Sequence, residues 1–188
     1  MRARRALASA CLALLLLPVG AGAHPHLFVK PAIGVVAAEG ELLLQVRWEW
    51  DELWSSEILF DCDLDQDGVL DEAETQQVFK YYFSNIEEYA YFMKVRVDGE
   101  VAPVEVRGFQ VEVLEERIVR YEFQVPLGCT AEQGVAGLQL DVLFNDDSIY
   151  TAFDDKVGVL AGQGDALADV AAAKYRFYGV EISFWYEP

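Results

Sequence analysis

The sequence predicts an α+β fold: an antiparallel β-sandwich or strongly curved sheet that carries an inserted EF-hand-like helix–loop–helix. Most of the chain consists of short segments in which apolar and polar residues alternate, the pattern of half-buried strands. Turn signals such as Asp98-Gly99 separate these segments, as in sheets built from hairpins. One acidic stretch with the spacing of a calcium loop interrupts the alternation.

Residues 1–23 have the pattern of a secretory signal peptide. Three arginines precede an apolar run from Leu7 to Val19, and this run is too short for a bilayer span, which needs about 20 residues. Ala21-Gly22-Ala23 then provides a small-residue cleavage signal. We therefore expect a single α+β domain over residues 24–188 that is exported to the periplasm and is soluble, with no direct membrane anchor.

The composition is strongly acidic. The chain has 32 acidic and 14 basic residues and a formal net charge of −18, and loss of the signal peptide would remove three of the basic residues and none of the acidic ones. This balance argues against nucleic acid or anionic lipid as a partner and favours cations.

Two strands are predicted before the helical insertion, and the other strands are predicted after it. Leu27–Ala37 and Glu41–Trp50 form a predicted hairpin around Glu39-Gly40, because Leu42, Leu44, Val46, Trp48 and Trp50 share one face. Further strands are predicted over residues 94–97, 101–106, 109–114 and 118–125. The remaining chain is predicted to form a hairpin of 138–144 with 149–153, a loop over 158–164, a short helix over 165–173 and a final strand over 175–186.

The acidic stretch at residues 63–74 matches a twelve-residue calcium loop without a gap. Gly68 is the sixth loop residue, where the chain turns sharply around the ion. Acidic side chains and one carbonyl occupy the ligand positions. The predicted Ca²⁺ ligands are Asp63, Asp65, Asp67, the carbonyl of Val69, Asp71 and Glu74.

Apolar residues at helical spacing flank this loop and predict a helix–loop–helix over about 52–92, with a leaving helix from about Asp71 to Ala90. No second loop of this kind occurs, and by analogy with paired sensor loops a lone loop favours a structural role for calcium. Cys62 and Cys129 remain after cleavage, and either a disulfide or buried thiols are consistent with the pattern.

The two histidines of the chain, His24 and His26, define a second candidate site. Cleavage after Ala23 would make His24 the N-terminal residue, whose α-amino group and imidazole could chelate Zn²⁺, Ni²⁺, Co²⁺ or Cu²⁺. Pro25 lacks an N–H, which excludes a square-planar amino-terminal site. Asp51 and Asp147 are candidate carboxylate ligands of the same ion. The alternative to a metal site is a solvated N-terminus whose histidines bind no metal.

An enzyme is not expected. With no other histidine in the chain, a Ser-His-Asp triad or a three-histidine zinc site cannot form. No Gly-rich phosphate loop occurs. The remaining enzymatic alternative is a copper-holding brace at an amino-terminal histidine.

Four sequence motifs resemble those of a bacterial family of unknown function. They are Ala23–Val29, Arg47–Ser55, Asn85–Phe92 and Ile149–Asp154. Members are often labelled the periplasmic component of an uncharacterised ABC-type transport system, and lie beside or fused to permeases of the nickel/cobalt exporter type. This chain departs from the pattern at Trp50, usually Phe, and at Ser148, often Pro.

The resemblance implies a transition-metal role and an inner-membrane metal permease as partner. The sequence thus predicts a periplasmic metal-binding accessory protein of a transition-metal transport system, with a structural calcium loop. The alternative is a calcium-stabilised periplasmic structural or interaction module with no transition-metal role.

Overall fold

The computed structural model describes residues 25–160, 167–176 and 178–187, which form a mixed α+β fold of mostly strands in two sheets. The strands are β1 Leu27–Ala38, β2 Glu41–Trp50, β3 Met93–Val97, β4 Glu100–Ala102, β5 Arg107–Val113, β6 Val119–Thr130, β7 Leu138–Phe144, β8 Thr151–Phe153, β9 Gly158–Val159, β10 Leu167–Tyr175 and β11 Gly179–Tyr186. The helices are α1 Glu52–Cys62, α2 Glu72–Val78 and α3 Ala131–Gly134, with a π-helical turn at Phe79–Phe83 and 3-10 segments at Ser84–Phe92 and Glu115–Arg117.

The strands form two sheets rather than one curved sheet. Sheet A has the order β5-β6-β2-β1-β8, with β9 also paired to β1, and sheet B has the order β10-β11-β7-β3-β4. Sheet B is antiparallel, as expected. Sheet A is mixed, because β8 and β9 pair with β1 in parallel. The prediction of a purely antiparallel sheet is therefore wrong for this edge of sheet A.

The core of the two sheets is centred on Trp48 of strand β2. Its side chain is fully buried. Its ring makes edge-on contacts with Phe123 of β6 at 5.1 Å, Phe153 of β8 at 5.6 Å, Phe144 of β7 at 6.0 Å and Phe83 at 6.2 Å between centroids. These four rings come from sheet A, sheet B and the helical segment, so one aromatic cluster joins all three.

The helical insertion is attached to sheet A at the start of α1. Asp51 caps this helix by accepting the Trp54 N–H at 2.9 Å, and its other oxygen accepts the Phe28 N–H of β1 at 2.6 Å. One turn later, the hydroxyl of Ser55 accepts the Val119 N–H of β6 at 2.9 Å in the protein interior. Hydrogen bonds to two different strands therefore fix the position of α1.

The predicted turns before and after the insertion are confirmed. β1 and β2 pair antiparallel from Val29–Trp50 to Ala38–Glu41, with Gly40 at φ +84° in the connecting turn. Asp98-Gly99 connects β3 to β4. These turns follow from local chemistry, because left-handed backbone is least costly for Gly.

The predicted short helix at 165–173 is wrong over its described part. Residues 167–175 form strand β10, which pairs antiparallel with β11 through an irregularity between Ala168 and Ala171. Alanine favours helices intrinsically, but the open edge of β11 offers a full row of backbone partners. Tertiary pairing therefore overrides propensity here.

The predicted hairpin of 138–144 with 149–153 is also wrong. β7 lies in sheet B and β8 in sheet A, so residues 145–150 cross between the sheets. The buried carboxylate of Asp146 organises this crossing by accepting hydrogen bonds from Ser148 and the Thr151 N–H. The turn residues were recognisable, but the direction of the next strand depends on its pairing with distant β1.

Three smaller predictions need correction. The strand predicted at 101–106 ends at Ala102, and the loop predicted at 158–164 begins with the short strand β9, its residues 161–164 lying outside the described ones. The leaving helix is not uniform: α2 gives way to π-helical and 3-10 turns, with positive φ at Ala90 and Tyr91. The state of the cysteines, which the sequence left open, is that of two free thiols at Cys62 and Cys129.

Within the described ranges, no helix combines the length and the apolarity that crossing a bilayer requires.

The Trp48→Ala substitution is expected to lower the free energy of unfolding by about 3–5 kcal/mol, because it leaves a cavity where both sheets and the helical segment meet. Urea denaturation of the purified protein measures this change. The control is Val101→Ala on the edge strand β4, where the side chain is 62% exposed and the expected effect is within about 0.5 kcal/mol. Equal effects of the two substitutions would contradict the central role of Trp48.

Candidate metal centre

The acidic loop lies between α1 and α2, at the end of α1 away from Asp51. Asp63 ends α1, and its N–H donates to the carbonyl of Leu59 at 3.1 Å. Since α1 has 11 residues, its two ends are about 16 Å apart. Asp63 is 5% exposed, whereas Asp65 and Asp67 lie on the surface. Of these three aspartates, one thus lies in the interior and two lie on the rim.

Three of the predicted ligands converge. Asp63, Asp65 and Asp67 each place a carboxylate oxygen within 4.8 Å of the other two. Two unit charges at this separation repel by about 1 kcal/mol in bulk water and by more near a protein surface. A cation between the three carboxylates would turn this repulsion into attraction.

The buried carboxylate of Asp63 is only partly satisfied by the protein. Oδ2 accepts the Gly68 N–H at 3.1 Å and lies 3.7 Å from the guanidinium of Arg117. Oδ1 is buried and has no hydrogen-bond partner among the described residues. A buried carboxylate oxygen without a partner is costly, so the protein leaves a coordination position that fits a cation.

The backbone of the loop curls around these carboxylates. Gln66 and Gly68 have φ of +60° and +83°, and these left-handed residues bend the chain sharply. Asp65 accepts the Asp67 N–H at 3.2 Å, and Asp67 accepts the Val69 N–H at 2.8 Å. The side chain of Val69 is 63% exposed, which is compatible with a residue that would contribute only its carbonyl.

Glu74 closes the loop rather than joining the three aspartates. Its Oε1 accepts the Leu64 N–H at 2.7 Å and its Oε2 accepts the Asp71 N–H at 3.1 Å. Asp71 in return accepts the Glu74 N–H at 2.9 Å, which completes a capping box at the start of α2. The buried carboxylate of Glu74 therefore holds the first and last parts of the loop together.

The chemistry of this donor set favours a hard cation. Carboxylate and carbonyl oxygens suit Ca²⁺ and Mg²⁺. Burial, followed by the nearby carboxylates of Asp61 and Glu74, raises the pKa of the Cys62 thiol to about 11. The thiol next to the loop therefore stays protonated at neutral pH in the metal-free protein.

The second predicted site is only partly within the described residues. His24 lies outside them. His26 is exposed, its N–H donates to the carbonyl of Tyr150 at 2.8 Å, and the two rings are 5.0 Å apart. Asp51 uses both carboxylate oxygens for main-chain N–H groups, and Asp147 pairs with Arg176 at 3.1 Å. The structure thus gives both candidate carboxylates other partners.

Arg117 is a residue of the site that the sequence did not reveal. It follows Glu115-Glu116, which the sequence marks only as the turn between β5 and β6. Its guanidinium lies 3.7 Å from the carboxylate of Asp63, which is distant in the sequence. No local pattern in the sequence predicts this contact between Arg117 and Asp63. One indication in the sequence is that no Lys or Arg occurs between Trp48 and Phe79. A basic side chain that contacts the acidic loop must therefore come from another part of the chain.

Fold and site define an α+β protein of two sheets with an acidic loop between two helices. The chain belongs to the family described as "Protein of unknown function (DUF1007)", whose model matches residues 9–163. The expected membership in a family of unknown function is confirmed.

A related protein is the "Uncharacterized 15.5 kDa protein in trpE 3'region" of Spirochaeta aurantia. It is 30% identical over 94 residues, which cover 50% of this chain and 65% of that protein. The matched region thus falls just short of two thirds of the relative's own length.

The Glu74→Ala substitution is expected to destabilise the protein by about 1–3 kcal/mol even without metal, because it removes the acceptor of the Leu64 and Asp71 N–H groups. Urea denaturation in the presence of a chelator measures the change. Glu72→Ala, an exposed acid in the same helical turn, is the matched control, with an expected effect within about 0.5 kcal/mol. Similar effects of the two substitutions would argue against loop closure by Glu74.

Proposed function

We propose that this protein is a periplasmic metal-binding accessory protein of a transition-metal transport system, stabilised by calcium in an EF-hand-like loop. Its proposed partner is an inner-membrane metal permease. The proposal includes export by a cleaved signal peptide and no catalytic activity, nucleic-acid binding or membrane anchor.

The calcium part rests on one observation above the others: the carboxylates of Asp63, Asp65 and Asp67 converge, and one buried oxygen of Asp63 has no hydrogen-bond partner among the described residues. In the proposed site Asp63, Asp65 and Asp67 supply side-chain oxygens, and Val69 supplies its carbonyl. Asp71 would act directly or through water, and Glu74 would be the last ligand. Exported modules of this type bind Ca²⁺ with dissociation constants of about 10⁻⁴ to 10⁻³ M.

The transition-metal part rests on the mature N-terminus. Export and cleavage after Ala23 would place an α-amino group and two imidazoles, from His24 and His26, within three residues. Nitrogen ligands of this kind suit Zn²⁺, Ni²⁺, Co²⁺ or Cu²⁺ rather than Ca²⁺. The resemblance to proteins labelled as periplasmic transport components supports the same reading.

A second candidate function is a calcium-stabilised structural or interaction module without a transition metal. The contacts of Asp51 with two main-chain N–H groups and of Asp147 with Arg176 favour it. Both candidate carboxylates are therefore already engaged with other groups of the fold.

Ca²⁺ is expected to stabilise the mature protein by about 2.7 kcal/mol when its concentration is 100 times its dissociation constant.

The Glu74→Gln substitution keeps an oxygen that can accept the Leu64 N–H but removes the negative charge, so the Ca²⁺ affinity should fall at least about tenfold. Calorimetry with Ca²⁺ measures the affinity, and Glu72→Gln is the matched control. An unchanged affinity in Glu74→Gln would sink the proposed ligand set.

Transition-metal binding is expected to require both histidines. Calorimetry would use the correctly processed protein, starting at His24 and saturated with Ca²⁺, titrated with Zn²⁺, Ni²⁺, Co²⁺ and Cu²⁺. A His24→Ala/His26→Ala variant should lose the binding, because nitrogen ligands dominate affinity for these ions. If the wild-type protein binds none of these ions, or the variant binds equally well, the transition-metal part is wrong and the calcium-stabilised module remains.

A further inference from the structure

Helix α1 has apolar residues on two faces. Ile58, Leu59 and Cys62 are buried against the sheets. On the solvent side, Leu53 is 68% and Phe60 is 88% exposed. A surface helix usually has one apolar stripe, and a second stripe indicates a second contact.

The exposed apolar residues follow one side of α1 toward the acidic loop. Leu53 and Phe60 are seven residues apart, which places them two turns apart on the same helix face. Leu64, 64% exposed, follows directly after the end of α1, and Glu74 holds its N–H. We call Leu53, Phe60 and Leu64 the α1 patch.

The surroundings of the α1 patch are acidic. Its exposed neighbours in the chain include Glu52, Glu57, Asp61 and Asp65, and no Lys or Arg occurs from Trp48 to Phe79. The cations that reach this segment in the described structure include Arg117 and Arg120, which pair with Asp63 and Glu49. The exposed chain neighbours of the α1 patch are therefore predominantly acidic, and Arg117 is a cation that lines the same surface pocket as Phe60.

We propose that the α1 patch docks a protein segment with apolar side chains flanked by Lys or Arg, in the manner of a basic amphipathic helix. Apolar contacts would cover Leu53, Phe60 and Leu64, and the basic flanks would pair with the acidic chain neighbours. A second copy of this chain would bring two acidic segments together, and an anionic membrane would be repelled. Charge complementarity thus selects a basic partner.

This inference goes beyond the proposed function, because the α1 patch requires neither histidine nor a bound transition metal. A protein that binds no metal could still dock such a segment, and a metal carrier could lack the interaction. The two proposals therefore fail separately.

The test uses the mature protein with Ca²⁺ and a synthetic Leu/Lys amphipathic peptide of about 18 residues, or five helical turns. Calorimetry measures its affinity for the wild type and for a Leu53→Ser/Phe60→Ser variant. We expect the variant to bind at least about tenfold more weakly. The matched control, Val101→Ser/Val135→Ser, removes two valines that are 62% and 70% exposed elsewhere, and should bind like the wild type. A Leu/Glu peptide should not bind.

Two results would overturn the proposal. Equal affinities of the patch variant and the control variant would mean that net charge alone attracts the peptide. A wild-type dimer in sedimentation that the patch variant abolishes would assign the α1 patch to a second copy of the chain. Circular dichroism and thermal unfolding of each variant verify that the fold is retained, as expected for substitutions at exposed positions.

Discussion

The packing of Trp48 is the constraint on which the rest of the structure depends. A single buried indole contacts rings from both sheets and Phe83 of the helical segment. Phe83 in turn lies 4.4 Å from the ring of Phe109 and 4.8 Å from that of Tyr91, so the aromatic cluster extends under the whole insertion. Because these contacts are dense and directional, the helices cannot move independently of the sheets. The position of the acidic loop is therefore a consequence of the core.

That rigid attachment explains why a carboxylate is buried in the loop. Docking of α1 through Ser55 and Cys62 carries the residue that caps its end, Asp63, below the surface. Burial of a charged group is unfavourable unless other groups compensate it. Gly68 and Arg117 compensate one oxygen of Asp63, and the other oxygen is buried without a hydrogen-bond partner among the described residues.

The predictable features are those that local chemistry determines. The spacing of acidic residues and the position of Gly68 identified a loop in which Asp63, Asp65 and Asp67 do converge. The alternation of apolar and polar residues predicted the β1–β2 hairpin, including the position of its turn. The parallel pairing of β8 with β1, the strand character of β10 and the reach of Arg117 depend on contacts between distant parts of the chain. No local pattern encodes them, and for β10 the local propensity of its alanines points the other way.

The two helix ends at the loop differ electrostatically. The positive end of the α2 dipole is matched by Asp71, Glu72 and Glu74. The negative end of α1 has no basic residue in its last turn and instead carries Asp61 and Asp63. Arg117 of the neighbouring 3-10 segment approaches only Asp63 of these carboxylates. A divalent cation held by Asp63 would neutralise the end of α1, and metal binding and helix stability would then be coupled through the same carboxylate.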